Sequence, residues 1–160
     1  MFDTINGIPL HPLVVHAVVV LLPLATLGTL AIAVKRDWRL KYGPLVVAAA
    51  ALATVLCPVA TSTGESLEEM VGDPGYDHAE LGEMLVWFAL ALLVLSLALV
   101  WLERRRAASG DPDEHKTLIN VIAAAAVVAA LASSVQVYLV GDSGAKSAWG
   151  DAASNSATGD

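Results

Sequence analysis

The chain has 160 residues, of which 56% are hydrophobic and 16% are charged, and its formal net charge is −7. Soluble domains carry about 25% charged residues, so this composition indicates a membrane protein. The negative charge argues against nucleic acid as a partner, because binding to a phosphate backbone requires a basic surface. The single cysteine, Cys57, excludes an internal disulfide and a two-cysteine metal or redox motif.

Four apolar runs predict four membrane-spanning helices, since about 20 apolar residues cross the hydrocarbon core of a bilayer. In the first run His16 is the one ionisable residue, the third has Glu83 in its first turn, and the fourth has no charge. The second run is the shortest and has Pro58 near its end. The predicted helices cover about residues 12–34, 44–60, 81–102 and 117–140.

These runs predict an all-α fold, an up-down-up-down bundle of four transmembrane helices. A soluble four-helix bundle would need a polar face on every helix, and the first and fourth runs offer none. The membrane domain is expected to cover residues 1–145. Residues 146–160 are rich in glycine, serine and alanine, which favours a flexible C-terminal tail.

The basic residues predict the orientation. Eight of the nine lysines and arginines lie between the first and second runs or between the third and fourth. Cytoplasmic loops of membrane proteins carry an excess of lysine and arginine. Both of these connections are therefore expected in the cytoplasm, and both termini outside it.

Three of the four histidines fall at the extracytoplasmic end of this bundle. His16 lies one turn into the first helix, where an ionisable group is costly unless it faces protein or water. His11 precedes Pro12, which disfavours helical geometry, and it is too far from His16 in angle to form an i,i+4 metal pair. His78 enters the third helix. Each has a plainer interpretation: a hydrogen-bonded helix contact for His16, an exposed loop for His11, and a polar helix start for His78.

Polar groups accompany the histidines. Glu65 follows the second helix and Asp142 follows the fourth. Each is either a solvated group at a helix end or a carboxylate that binds a metal or orients a histidine. Glu83, Thr63 and Ser143 are expected around the ligands, where they would support them.

The segment Gly7-Ile8-Pro9-Leu10-His11-Pro12 with His16, the histidine before the third helix, and Gly141-Asp142-Ser143-Gly144 resemble the bacterial membrane family known as domain of unknown function 2231. The resemblance covers almost the whole chain and implies a multi-pass protein of the bacterial plasma (inner) membrane. The pattern of histidines at helix ends is similar in style to the di-haem cytochrome b superfamily. This chain lacks a cytoplasmic histidine pair, which argues against a second haem.

Three functions follow as hypotheses. The first is a redox protein with one b-type haem, with His16 and His78 as axial ligands and His11 as a further cofactor-binding candidate. The second is a zinc or copper protein, with ligands among His11, His16, His78, Glu65 and Asp142. The third is a non-catalytic accessory subunit that works with other membrane redox or transport subunits. No phosphate loop or dinucleotide fingerprint is present, so enzymatic activity beyond that of a redox subunit is not expected.

Overall fold

The structure, a computed structural model, describes residues 4–5, 8–71 and 78–157, with side chains for residues 10–69 and 78–147. Two very short strands, β1 (Thr4–Ile5) and β2 (Ile8–Pro9), pair antiparallel ahead of the first helix. Four long helices make up the rest of the described chain, which confirms the predicted all-α bundle. They are α1 (Leu10–Val34), α2 (Arg36–Val71), α3 (His78–Ser109) and α4 (Lys116–Ala157).

All four helices are long and apolar enough to cross a membrane. Their outward faces are apolar as well: Val20 and Leu27 on α1 are each 65% exposed, and Val128 on α4 is 66% exposed. A protein in water would leave such side chains unburied at a cost, whereas the acyl chains of a bilayer cover them. The four apolar runs of the sequence are therefore four apolar helices of an integral membrane protein.

Helices α2 and α4 are longer than the apolar runs that predicted them. An apolar run reports the thickness of the hydrocarbon region, and a helix continues into the interface where polar residues are tolerated. Helix α2 includes Pro44 and Pro58 in its interior. Helix α4 continues through residues 146–157, where a flexible tail was predicted, and residues 158–160 lie outside the described chain. Residues 146–157 contain four alanines and no proline, a composition that permits a helix.

Each helix packs against the next along the chain, and α4 returns to pack against α1, so that α1 and α3 lie diagonally across the bundle. Close approach depends on small residues, as is common between membrane helices. A methyl group on Gly28 of α1 would lie 2.7 Å from Cγ2 of Val46 on α2. Gly43 of α2 lies even more tightly against the side chain of Val100 on α3.

One end of the bundle, which we call the arginine end, is marked by Arg36, Arg39, Glu103 and Arg106. Arg39 donates from Nε to the Ile32 carbonyl and from Nη2 to the Ala33 carbonyl, each at 2.8 Å. These carbonyls belong to the last turn of α1, where no helical N–H remains to satisfy them.

Glu103 of α3 connects the arginines. Its carboxylate accepts a hydrogen bond from Nη1 of Arg39 at 3.2 Å and forms an ion pair with Arg106. The sequence placed Arg39 in a loop, but only Lys35 separates α1 from α2, and Arg39, Glu103 and Arg106 are buried helical residues. Arg39 is buried because its guanidinium donates the hydrogen bonds that the last carbonyls of α1 lack.

The turn from α3 to α4 lies at this same end. Helix α3 ends at Ser109, and Gly110 follows it with a φ of 73°, a left-handed conformation that glycine adopts without strain. His115, the fourth histidine, lies just before α4.

Candidate functional site

The opposite end of the bundle, which we call the histidine end, is marked by His11, Thr63, His78 and Ser143. His11 is the second residue of α1, and its imidazole reaches across to α2. Nδ1 of His11 lies 3.0 Å from the Ala60 carbonyl and 3.3 Å from Oγ1 of Thr63. A carbonyl can only accept, so Nδ1 carries the proton. The lone pair of the neutral ring is therefore on Nε2.

The Thr63 hydroxyl fits this assignment. It lies 2.9 Å from the Val59 carbonyl and 3.0 Å from the Ala60 carbonyl of its own helix, so its proton is used there. Its oxygen remains free to accept from Nδ1 of His11. Two acceptors on α2 thus hold the imidazole in one orientation and one tautomer.

His78, the first residue of α3, is held in the same way by α4. Nδ1 of His78 lies 3.1 Å from Oγ of Ser143, which is itself 8% exposed. The Ser143 hydroxyl also lies 3.0 Å from the Val140 carbonyl of its own helix. Where the hydroxyl proton is used by that carbonyl, its oxygen accepts from Nδ1 of His78, as in the first hairpin.

A glycine follows each hydroxyl residue and forms a surface against which the imidazole packs. A Cβ on Gly64 would lie 3.0 Å from Cε1 of His11, and a Cβ on Gly144 would lie 2.9 Å from Cε1 of His78. Carbon atoms in contact normally stay about 3.5–4.0 Å apart. A larger residue at either position would therefore displace the histidine.

The two hairpins, α1–α2 and α3–α4, thus carry the same arrangement. In each, a histidine at the start of one helix bonds through Nδ1 to a hydroxyl residue on the next helix and packs on the glycine after it. The histidine and the hydroxyl residue are 52 residues apart in the first hairpin and 65 in the second. This difference in spacing hides the similarity from the sequence.

The two imidazoles lie at the same end of the bundle, each at the start of its helix. Since α1 and α3 are diagonal in the bundle, the histidines approach from opposite sides. In each imidazole Nδ1 is engaged by a neighbouring helix, and among the described residues Nε2 has no hydrogen-bond partner.

His16 is not part of this pair. Its side chain is exposed, and its Nδ1 lies 2.5 Å from the Pro12 carbonyl one turn earlier in α1. Five residues rotate a helix by about 140° relative to His11, which carries His16 to the outside of the bundle. The expectation that Pro12 would force His11 out of the helix was wrong: proline in a first turn gives up an N–H that has no helical acceptor.

The predicted carboxylates do not join the histidines. Glu65 and Glu83 are exposed and line a surface cavity of about 260 Å³ between α2 and α3, while Asp142 pairs with Lys146 at 2.6 Å along α4. In the described part of the chain no group of three or more histidine, cysteine, aspartate or glutamate residues could hold a metal ion. Thr63 and Ser143, expected as supporting groups, do contact His11 and His78.

The sequence did not identify Gly64, Gly144 or the Ala60 carbonyl as part of the site. The available signal was a hydroxyl residue followed by glycine late in the second and fourth helices. Gln136 of α4, 6% exposed, supports the same end by donating from Nε2 to the Leu81 carbonyl of α3 at 2.8 Å.

Comparison with known proteins agrees with this architecture. A family model described as "Predicted membrane protein (DUF2231)" matches residues 7–157, which include both histidine arrangements. Searches of curated proteins and of solved structures found no match to the chain. The chain belongs to the predicted membrane protein family DUF2231, domain of unknown function 2231.

Proposed function

We propose that this protein transfers electrons in the membrane and holds one b-type haem between His11 and His78. The observation that carries the proposal is the matched state of the two imidazoles. Each engages Nδ1 in a hydrogen bond to a neighbouring helix, and in the described part of the chain neither Nε2 atom has a partner, so a proton on Nδ1 would leave the Nε2 lone pair for iron. Histidines that bind a metal almost always donate their other N–H in this way.

The number of ligands favours haem over zinc. A haem iron takes two axial ligands from the protein, because the porphyrin supplies the other four. Zinc sites use three or four protein ligands, and in the part of the chain that the structure describes the histidine pair has no third or fourth one. The sequence suggested His16 and His78 as the axial ligands. The proposal takes His11 in place of His16, because the His16 side chain is exposed and bonds to the Pro12 carbonyl of its own helix.

The protein's own residues supply orientation and tuning. When bound, the haem would accept and release one electron. Ala60, Thr63 and Ser143 would accept from the Nδ1–H groups, which fixes the ring planes and makes the imidazoles better donors to iron. Gly64 and Gly144 would let the rings lie flat against the helix backbones.

The basic arginine end supports an orientation with that end in the cytoplasm and the histidine end outside it. The proposed setting is the bacterial plasma (inner) membrane, as the family resemblance implies, with other membrane redox or transport subunits as electron partners.

The test is an absorption spectrum of protein purified in detergent after expression with ample haem supply. We expect a Soret band with split α and β bands on reduction in the wild type and in His16→Ala. His11→Ala and His78→Ala should each lose the bis-histidine spectrum. His16→Ala is the matched control, because it removes an imidazole from the same helix as His11.

A wild type without a Soret band would reject the haem proposal. Zinc or copper in the purified protein, lost in His11→Ala and His78→Ala but retained in His16→Ala, would instead assign the pair to one of those metals. Wild-type behaviour of a variant with alanine at His11, His16 and His78 together would favour the accessory-subunit hypothesis.

A further inference from the structure

The arginine end holds more positive charge than the protein balances. Three guanidinium groups, of Arg36, Arg39 and Arg106, surround the single carboxylate of Glu103. The side chains of Arg39, Arg106 and Glu103 are only 6%, 7% and 6% exposed, and that of Arg36 is 46% exposed. Buried charge is unfavourable unless it is paired, so this cluster, with a surplus of two positive charges, favours an anion.

The geometry shows which arginines face that anion. Arg39 is committed to the protein, because it holds Oε2 of Glu103 and two carbonyls at the end of α1. Arg36 and Arg106 both approach the other oxygen, Oε1, with Nε of Arg36 at 3.6 Å. Their guanidiniums therefore lie side by side.

Both of these arginines retain donors. A guanidinium has five N–H groups. Arg106 makes one hydrogen bond, to Glu103, and Arg36 makes one, from Nη2 to the Pro112 carbonyl at 3.3 Å. Among the described side chains, the fully enclosed polar atoms without a partner are Oγ1 of Thr29 and Oε2 of Glu114. The unused nitrogens of Arg106 are therefore not sealed from the surface.

Among the described residues, Glu103 is the one carboxylate within ion-pair distance of Arg36 or Arg106. In the turn between α3 and α4, Glu114 lies 3.3 Å from His115, and Asp113 pairs with Lys116 at 3.0 Å. Neither therefore supplies the missing negative charge to Arg36 and Arg106.

The cluster lies where lipid headgroups would be found. Aromatic rings beside it have cations over their faces: Lys35 is 4.4 Å from the Trp38 ring, and Arg105 is 4.4 Å from the Trp101 ring. Tryptophans at this level of a membrane helix mark the boundary between acyl chains and headgroups. A phosphate bound to Arg36 and Arg106 would be at that same boundary.

We propose that Arg36 and Arg106 together bind a phosphate group, presented by an anionic lipid headgroup. Two adjacent guanidiniums match the paired oxygens of a phosphate and would donate to it in parallel. The phosphate would offset the surplus charge of the cluster while Glu103 and Arg39 hold the helices in place. This site is separate from the histidine pair and does not depend on the haem proposal.

The test measures binding of phosphatidylglycerol to full-length protein in phosphatidylcholine nanodiscs, by native mass spectrometry. Arg36→Gln should weaken phosphatidylglycerol binding about tenfold, the effect expected for loss of a charge-assisted pair. Arg104→Gln is the matched control, because it removes the same charge from an exposed neighbour of Glu103, and it should change binding less than about twofold. Arg36→Lys keeps the positive charge but loses the paired N–H donors of the guanidinium. Its phosphatidylglycerol affinity should lie between those of Arg36→Gln and Arg104→Gln.

Two further outcomes decide whether the phosphate belongs to a lipid or to a soluble ion, and whether it binds at Arg36 and Arg106. Inorganic phosphate at millimolar concentration, added to the nanodiscs after phosphatidylglycerol has bound, should not displace this lipid from the protein. If it displaces phosphatidylglycerol completely there, the ligand is a soluble phosphate and the lipid assignment is wrong. Equal weakening by Arg36→Gln and Arg104→Gln would overturn the site, because it would show a diffuse attraction of all the basic residues.

Discussion

Replacing Gly144 with alanine tests whether the glycine surface holds His78 in place. The new Cβ would lie 2.9 Å from Cε1, 3.3 Å from Nδ1 and 3.6 Å from Nε2 of the imidazole. Carbon atoms in contact stay about 3.5–4.0 Å apart, so the ring must retreat by roughly 0.6 Å or more. The hydrogen bond from Nδ1 to Ser143, now 3.1 Å long, has little room for such a shift.

The expected cost is the sum of two effects. Overpacking of a well-packed site costs about 1–3 kcal/mol, and loss of a neutral hydrogen bond costs about 1 kcal/mol. Alanine also favours the helix over glycine by about 1 kcal/mol, which masks part of the cost. A control that shares this gain is therefore needed.

Gly141→Ala is that control. Gly141 lies less than one turn earlier in α4, and a Cβ there would meet nothing within 4 Å. The difference between the two variants removes the propensity gain and should be about 2–4 kcal/mol, with Gly144→Ala the less stable. At about 2–4 °C per kcal/mol, the midpoint of Gly144→Ala should be roughly 5–15 °C below that of Gly141→Ala.

The assay is thermal unfolding of both variants in the same detergent, followed by far-ultraviolet circular dichroism. Gly64→Ala compared with Gly82→Ala repeats the experiment for His11, because a Cβ on Gly82 also meets open space. Equal midpoints for Gly144→Ala and Gly141→Ala would show that the imidazole does not depend on the glycine, and would refute the proposed packing.

Two further predictions concern the rest of the bundle. Gly43→Ala should lower the free energy of unfolding by about 1–3 kcal/mol, because its methyl group would overlap the side chain of Val100, which is 5% exposed and stiff at χ1; thermal unfolding beside Gly141→Ala checks this, and an unchanged midpoint contradicts it. Glu103→Gln should destabilise the protein by about 3–5 kcal/mol, since it leaves buried arginines without their counter-charge; Glu83→Gln, at an exposed carboxylate, should change the free energy of unfolding by less than about 0.5 kcal/mol in the same measurement.

The choice between His11 and His16 shows where prediction from sequence stops. Both lie in the first turns of α1, and their spacing correctly indicated that they face different directions. Which of the two faces the protein depends on how α1 is rotated about its axis. That rotation is determined by packing against α2, where the Ala60 carbonyl and the Thr63 hydroxyl meet His11.

The arginine end shows the same limit. The basic residues between the apolar runs were visible in the sequence and predicted an orientation. Burial of Arg39 and Arg106 around Glu103 was not visible, because local composition does not show that the last carbonyls of α1 need donors from α2.

The sequence alone determined that this is a membrane protein of four apolar helices, with most of its histidines at one end and most of its basic residues at the other. It could do so because a bilayer demands long apolar segments and tolerates charge only at their ends. The tertiary structure alone decided that His11 bonds to α2 and His78 to α4, that glycines support both rings, and that three arginines share one carboxylate. These are contacts between helices distant in the chain, and they depend on rotations and close approaches that no local pattern encodes.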